Sequence, residues 1–128
     1  MRKLLWIMLA VLTLTACTRE ENNMNKGYVT ISAQAAKEMM DTQENYIILD
    51  VREQDEYDAG HIPGAILIPN GQITSRAEQE LPDKGQLILV YCRSGRRSKE
   101  AAQKLADLGY TNIKEFGGII DWPYDTEK

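Results

Sequence analysis

Leu87-Ile88-Leu89-Val90-Tyr91-Cys92-Arg93-Ser94-Gly95-Arg96-Arg97-Ser98 decides how this chain folds. Leu87 to Tyr91 is an unbroken apolar run, the pattern of a strand buried on both faces of a parallel sheet. From Ser98 to Leu108 the chain turns alanine-rich, and Ala101, Ala102, Leu105 and Leu108 recur at spacings of three and four, the buried stripe of a helix. The stretch is therefore strand, tight loop and helix, with a thiol at the turn. Loop N–H groups and the helix N-terminus that follows form a concavity suited to an anion, and the arginines deepen it. Such surroundings favour thiolate, the reactive form, so Cys92 is expected to act as a nucleophile on a small anion. At this point phosphate and sulfur chemistry fit equally well.

Outward from that stretch, strands alternate with helices. Tyr28 to Ile31 reads as a short strand, and Ser32 as the N-cap of a helix through about Met40. Tyr46 to Val51 is a second buried strand, followed by charged helical turns over Arg52 to Asp58. Gly60 to Ala65 is dense in turn residues and leads into a strand at Ile66 to Ile68. Gln72 to Glu80 is expected to be an exposed helix stopped at Leu81-Pro82, because proline cannot continue the hydrogen-bond ladder. Gly109 is placed as a C′ glycine after the helix ending near Leu108. Ile113 to Phe116 supplies a last strand, and Gly117-Gly118 introduces a turn bearing Ile119, Ile120 and Trp122. The expected fold class is α/β, three layers with a central, mostly parallel sheet flanked by helices. In such sheets reacting groups lie beyond the carboxyl ends of the strands, where Cys92 falls.

The first residues carry an address. Arg2 and Lys3 precede an apolar run from Leu4 to Leu14, the pattern of a secretory signal, and Leu4 to Ala16 is shorter than a membrane span. Leu14-Thr15-Ala16-Cys17 resembles the bacterial lipobox. That resemblance implies cleavage after residue 16, lipid on Cys17, and an extracytoplasmic chain anchored to a bacterial membrane, facing the periplasm. Residues 17–27 then form a polar tether, and 28–128 the folded domain. Loss of Arg2 and Lys3 takes the net charge from −4 to −6, which argues against nucleic acid as a partner. With Cys17 lipidated, Cys92 remains the sole free thiol of the two cysteines. One histidine and one thiol do not make a usual zinc site, so no metal and no cofactor is expected.

Four motifs in order resemble a single-domain rhodanese: Asp50-Val51-Arg52-Glu53 with Glu56-Tyr57, then Gly60-His61-Ile62-Pro63-Gly64-Ala65, then the loop from Cys92 to Ser98, then Gly109-Tyr110 with Gly117-Gly118 and Trp122. The resemblance covers Val29 to Trp122. It implies a sulfurtransferase that passes sulfane sulfur from thiosulfate or a related donor to cyanide or a thiol, through a persulfide on Cys92. Phosphatases of the same fold have a Cys-x5-Arg loop, whereas Cys92 to Arg97 is Cys-x4-Arg. The shorter ring suits a terminal sulfur atom better than a tetrahedral phosphate. A phosphatase or arsenate reductase is one alternative, and a persulfide carrier that turns over slowly by itself is another.

Within the loop, Cys92 is the expected nucleophile, and Arg93, Ser94, Gly95, Arg96, Arg97 and Ser98 are the expected substrate contacts. Arg93 and Arg97 are candidates for the oxyanions of a departing sulfonate, since a guanidinium can meet an oxyanion with two parallel hydrogen bonds. His61, although the only histidine, is placed in a structural turn rather than in catalysis. Asp50 and Arg52 are expected as a buried structural pair. Glu53, Asp55, Glu56 and Asp58 are expected on a solvated helix face, and Trp122 and Tyr124 in C-terminal packing.

Overall fold

A computed structural model describes residues 26–128. The proposed signal peptide, Cys17 and all but the end of the tether lie outside the described residues. The elements are β1 (Val29–Thr30), α1 (Ala33–Thr42), β2 (Tyr46–Asp50), α2 (Gln54–Ala59), β3 (Ile66–Leu67), α3 (Ile73–Glu80), β4 (Leu87–Cys92), α4 (Arg96–Asp107) and β5 (Ile113–Gly118), with 3-10 turns at Asn70–Gln72 and Ile119–Asp121. All strand pairs are parallel, in the spatial order β1-β5-β4-β2-β3.

The central strand β4 is buried along its whole length. Successive side chains of a strand point to opposite faces, and here both faces are apolar. Ile88, Val90 and Cys92 pack with Ile73 and Ala77 of α3 and with Ala101, Ala102 and Leu105 of α4. Leu87, Leu89 and Tyr91 pack on the other side with Ala36 of α1, Ile62, Phe116 and Trp122. These are the outer layers of an α/β three-layer fold. Each fully buried aliphatic side chain contributes roughly 1.5–3 kcal/mol, so the strand that carries Cys92 is anchored in both halves of the core.

Local signals set the ends of the elements. The Ser32 hydroxyl accepts from the Ala35 N–H at 3.0 Å and caps α1. Gly109 has φ +97°, the left-handed backbone that glycine adopts without strain after a helix. Three expectations need correction. Expected as exposed, α3 turns Ile73 and Ala77 fully inward, because their spacing of four puts both on the sheet-facing side. α2 starts at Gln54 rather than Arg52, since Arg52 folds back onto Asp50. β5 extends past Phe116 to Gly118, and a register shift between Val90 and Cys92 pairs Cys92 with Gly118. That irregularity brings the glycine pair under the loop.

Candidate active site

Cys92 is the last residue of β4, and Gly95 is the residue before α4, with φ +115°. Between them Arg93 and Ser94 cross the end of the sheet, and both are exposed. The turn aims the Gly95 N–H at the Cys92 Sγ, 3.0 Å away. A backbone donor on sulfur stabilises charge that gathers there, as an oxyanion hole does for oxygen. Cys92 itself is 0% exposed.

Gly118 makes the close crossing possible. A Cβ built on it would lie 1.9 Å from the Arg93 carbonyl oxygen, so only a glycine fits beneath the loop. From the next turn, the Ile120 N–H donates to that same carbonyl at 3.3 Å. The loop is thus clamped from below by the end of β5.

The cations of the loop differ in what they touch. Arg97 donates to Glu56 of α2 through Nη1 and Nη2, at 2.7 and 2.9 Å. These hydrogen bonds hold the Glu56 carboxyl down at about 2. Arg96, well exposed, pairs with Glu100 at 2.8 Å. Arg93 makes no ion pair among the described residues, leaving its guanidinium available at the mouth of the loop. Glu56 belongs to the acidic run expected as a solvated face, so that expectation is corrected: one member is taken by the arginine that closes the loop.

Ser98 lies on the inner side of the loop rather than at its mouth. Fully buried, its hydroxyl sits 3.5 Å from the Cys92 Sγ, 2.9 Å from the Gly95 carbonyl oxygen and 2.7 Å from Glu115 Oε1. Glu115 is a fully buried carboxylate that sequence reasoning missed. It follows Lys114 in a short strand, and a single charged pair at a strand carries no sign of which member turns inward. Glu56 was also missed as a partner, because 41 residues separate it from Arg97. Gly118 was visible as part of a glycine pair, but not its reason.

The residues expected to be structural behave as a frame. Asp50 is fully buried and accepts from Arg52 Nε and Nη2 and from the Tyr91 hydroxyl, the last at 2.7 Å. Burial, and then the Asp50 charge, push the Tyr91 phenol far up, so it stays a donor. The Tyr91 oxygen also accepts the Ile62 N–H, which fixes the segment from Gly60 to Ala65. His61 stacks on Tyr57 at 3.8 Å between ring centroids and exchanges backbone hydrogen bonds with Glu127. Trp122 packs between Phe116 and Tyr124.

A cavity of about 480 Å³ lies elsewhere, between α1, the start of β2 and the Trp122 to Asp125 segment, and no loop residue lines it. Cys92 is not among the residues that line it. Among the described residues, no group of three or more His, Cys, Asp or Glu side chains is arranged to hold a metal ion.

Comparison with known proteins agrees with this architecture. The chain is 38% identical over 73 residues to "Thiosulfate sulfurtransferase PspE" of Escherichia coli (strain K12), covering 57% of this chain and 70% of that one. It is 41% identical over 98 residues to "Putative sulfur carrier protein YrkF" of Bacillus subtilis (strain 168), covering 76% of this chain and about half, 52%, of that relative. Among solved structures, "rhodanese with anions from E. coli" superposes with TM-score 0.61 at 35% identity, over 65% of this chain and 98% of the other. The rhodanese-like domain of the Anabaena sp. Alr3790 protein superposes with TM-score 0.71 at 29% identity, over 77% of each. Residues 32–123, from the cap of α1 to just past Trp122, match the family described as Rhodanese-like domain. With strands β2 to β5, the cysteine loop at the carboxyl end of the sheet and the β5 glycines beneath it all inside that span, this chain belongs to the rhodanese-like domain family.

Proposed function

We propose that this protein transfers sulfane sulfur from thiosulfate, or a donor like it, to a thiol or cyanide through a persulfide on Cys92. The observation that carries the reading is the Gly95 N–H on the Cys92 Sγ at 3.0 Å, beneath a loop whose Arg93 is free of carboxylates among the described residues. In the first step the Cys92 thiolate attacks the outer sulfur of thiosulfate. The S–S bond of the donor breaks, and sulfite leaves with its electron pair. In the second step an acceptor thiolate or cyanide attacks the outer sulfur of the persulfide, and the Cys92 thiolate leaves. Neither step needs a redox partner. Arg93 supplies a guanidinium for the sulfonate oxygens, and the Gly95 N–H supplies a donor for charge on sulfur.

A thiosulfate and cyanide assay on the purified protein tests this, together with intact mass after thiosulfate alone. Thiocyanate formation and a mass gain of one sulfur, lost in Cys92→Ser, are expected. No thiocyanate and no mass gain would refute it. Burial of Cys92 and the similarity to a relative named as a sulfur carrier favour a second reading, in which the persulfide is handed to a docked partner and free turnover is slow. A stable mass gain without thiocyanate would select it.

The proposal includes an address. Arg2 and Lys3, the apolar run to Leu14 and the sequence Leu14-Thr15-Ala16-Cys17 support lipid on Cys17 and anchoring to a bacterial membrane outside the cytoplasm. Metabolic labelling with a radioactive fatty acid tests it, and label retained in Cys17→Ser would contradict it.

A further inference from the structure

Glu115 is a fully buried acidic side chain without a role in the two displacement steps. Its Oε1 accepts the Gly117 N–H at 2.7 Å and faces the Ser98 hydroxyl at 2.7 Å, while Oε2 accepts the Thr30 hydroxyl at 2.9 Å. All three are neutral donors, and no cation pairs with it among the described residues. On the other side of Ser98 stands Cys92, whose thiol donates to Oγ across 3.5 Å. The three groups form one chain of hydrogen bonds, with one titratable group at each end.

We propose that Glu115, acting through Ser98, is the proton acceptor of the Cys92 thiol, so that one proton is shared between sulfur and carboxylate. Cys92 S–H gives its proton to the Ser98 oxygen, and the Ser98 hydroxyl gives its own to Glu115. The products are a Cys92 thiolate and a Glu115 carboxylic acid, with one negative charge before and after. The hydrogen bonds then run the opposite way: Glu115 O–H donates to Ser98, and Ser98 O–H donates to the thiolate. Two like charges this close in a low-dielectric interior oppose each other. Moving the proton along the chain avoids that cost, and it makes the nucleophile without water entering a fully buried site. Glu115 is therefore a positioning residue for the proton, behind the sulfur rather than at the substrate.

Other charges face this cluster. Tyr28, beside β1, has its phenol pushed up by burial and then by the Glu115 charge. Arg97 of α4 feels the Cys92 charge but is held by Glu56 of α2, near Glu53. Arg93 and Lys99 lie around the loop itself, with the Lys99 Nζ near Gly95. Glu56 is held at about 2, so it stays ionised at neutral pH.

The inference rests on Cys92 as the reacting thiol, yet its test needs no sulfur donor. The rate of Cys92 alkylation by iodoacetamide is measured against pH on the full protein. A shared proton gives two steps with a plateau between them, because one proton is distributed over two sites in that interval. Glu115→Gln is expected to collapse the profile to one step. Ser98→Ala, which breaks the chain and leaves Glu115 in place, is expected to lower the rate on the acidic plateau about tenfold. A single step in the wild type would overturn the proposal. So would a Glu115→Gln profile with two steps, since the second titrating group would then lie elsewhere. If Glu115→Gln does not fold, Ser98→Ala decides alone: an unchanged acidic plateau would leave Ser98 as a turn hydroxyl on the Gly95 carbonyl and refute the relay. A two-step profile with no persulfide on thiosulfate would preserve the relay and reject the sulfur-transfer reading.

Discussion

Arg97, which closes the Cys-x4-Arg loop, is bound on both guanidinium nitrogens by Glu56, at 2.7 and 2.9 Å. The pair joins the first turn of α4 to α2. It leaves Arg93 as the loop arginine without an ion pair among the described residues, since Arg96 is paired with Glu100.

The pair has a pH signature. The Arg97 hydrogen bonds hold Glu56 at about 2 in the folded protein, against 4.5 for the free group. A lowered folded value means the stabilisation is complete above the unfolded value and is lost as pH falls through about 4.5 toward about 2. The groups are partly exposed, so solvent screening limits the effect to about 1 kcal/mol. Urea unfolding midpoints at neutral and acidic pH should show a smaller acid-side drop in Arg97→Gln than in the wild type. An equal drop would place the sensitivity in other carboxylates.

Arg93 and Arg97 should separate in kinetics. Arg93→Ala is expected to raise the KM for thiosulfate about tenfold, the effect of about 1.4 kcal/mol from one lost charge-assisted contact, with little change in stability. Arg97→Gln is expected to lower the melting temperature and to change KM less. The opposite pattern would mean that Arg97 leaves Glu56 to bind the donor.

Gly118→Ala places a Cβ 1.9 Å from the Arg93 carbonyl oxygen, which the loop cannot accept unmoved. Overpacking of this kind costs about 1–3 kcal/mol. The variant should melt lower, and its Cys92 should lose the Gly95 hydrogen bond and with it sulfur-transfer rate. Wild-type rate in a folded Gly118→Ala protein would show that the crossing does not shape the site.

Tyr91→Phe removes one hydroxyl and leaves two partners without it, the Asp50 carboxylate and the Ile62 N–H. Asp50 keeps Arg52, whereas the Ile62 N–H is left without a partner, and an orphaned buried group costs about 1–3 kcal/mol, so unfolding by urea should shift to lower denaturant. Tyr91 faces away from Cys92 on the same strand. Activity per folded molecule should therefore change little.

Much of this was legible without coordinates, for a physical reason. The β4 run is apolar at every position because both faces of a central parallel strand are covered, and that pattern needs no knowledge of partners. The α4 stripe, the Ser32 cap and the Gly109 stop are likewise local, each set within a few residues. The order strand, cysteine loop, helix therefore placed Cys92 at the carboxyl end of the sheet from sequence alone.

What only tertiary structure decided is pairing across long separations. Glu56 with Arg97, Thr30 and Ser98 with Glu115, and Gly118 beneath Arg93 bring together residues that share no spacing rule. A carboxylate on a helix and one on a strand look alike in a sequence. The fold made the first a clamp on the loop arginine, and it buried the second behind the sulfur among three neutral donors, Ser98 one of them.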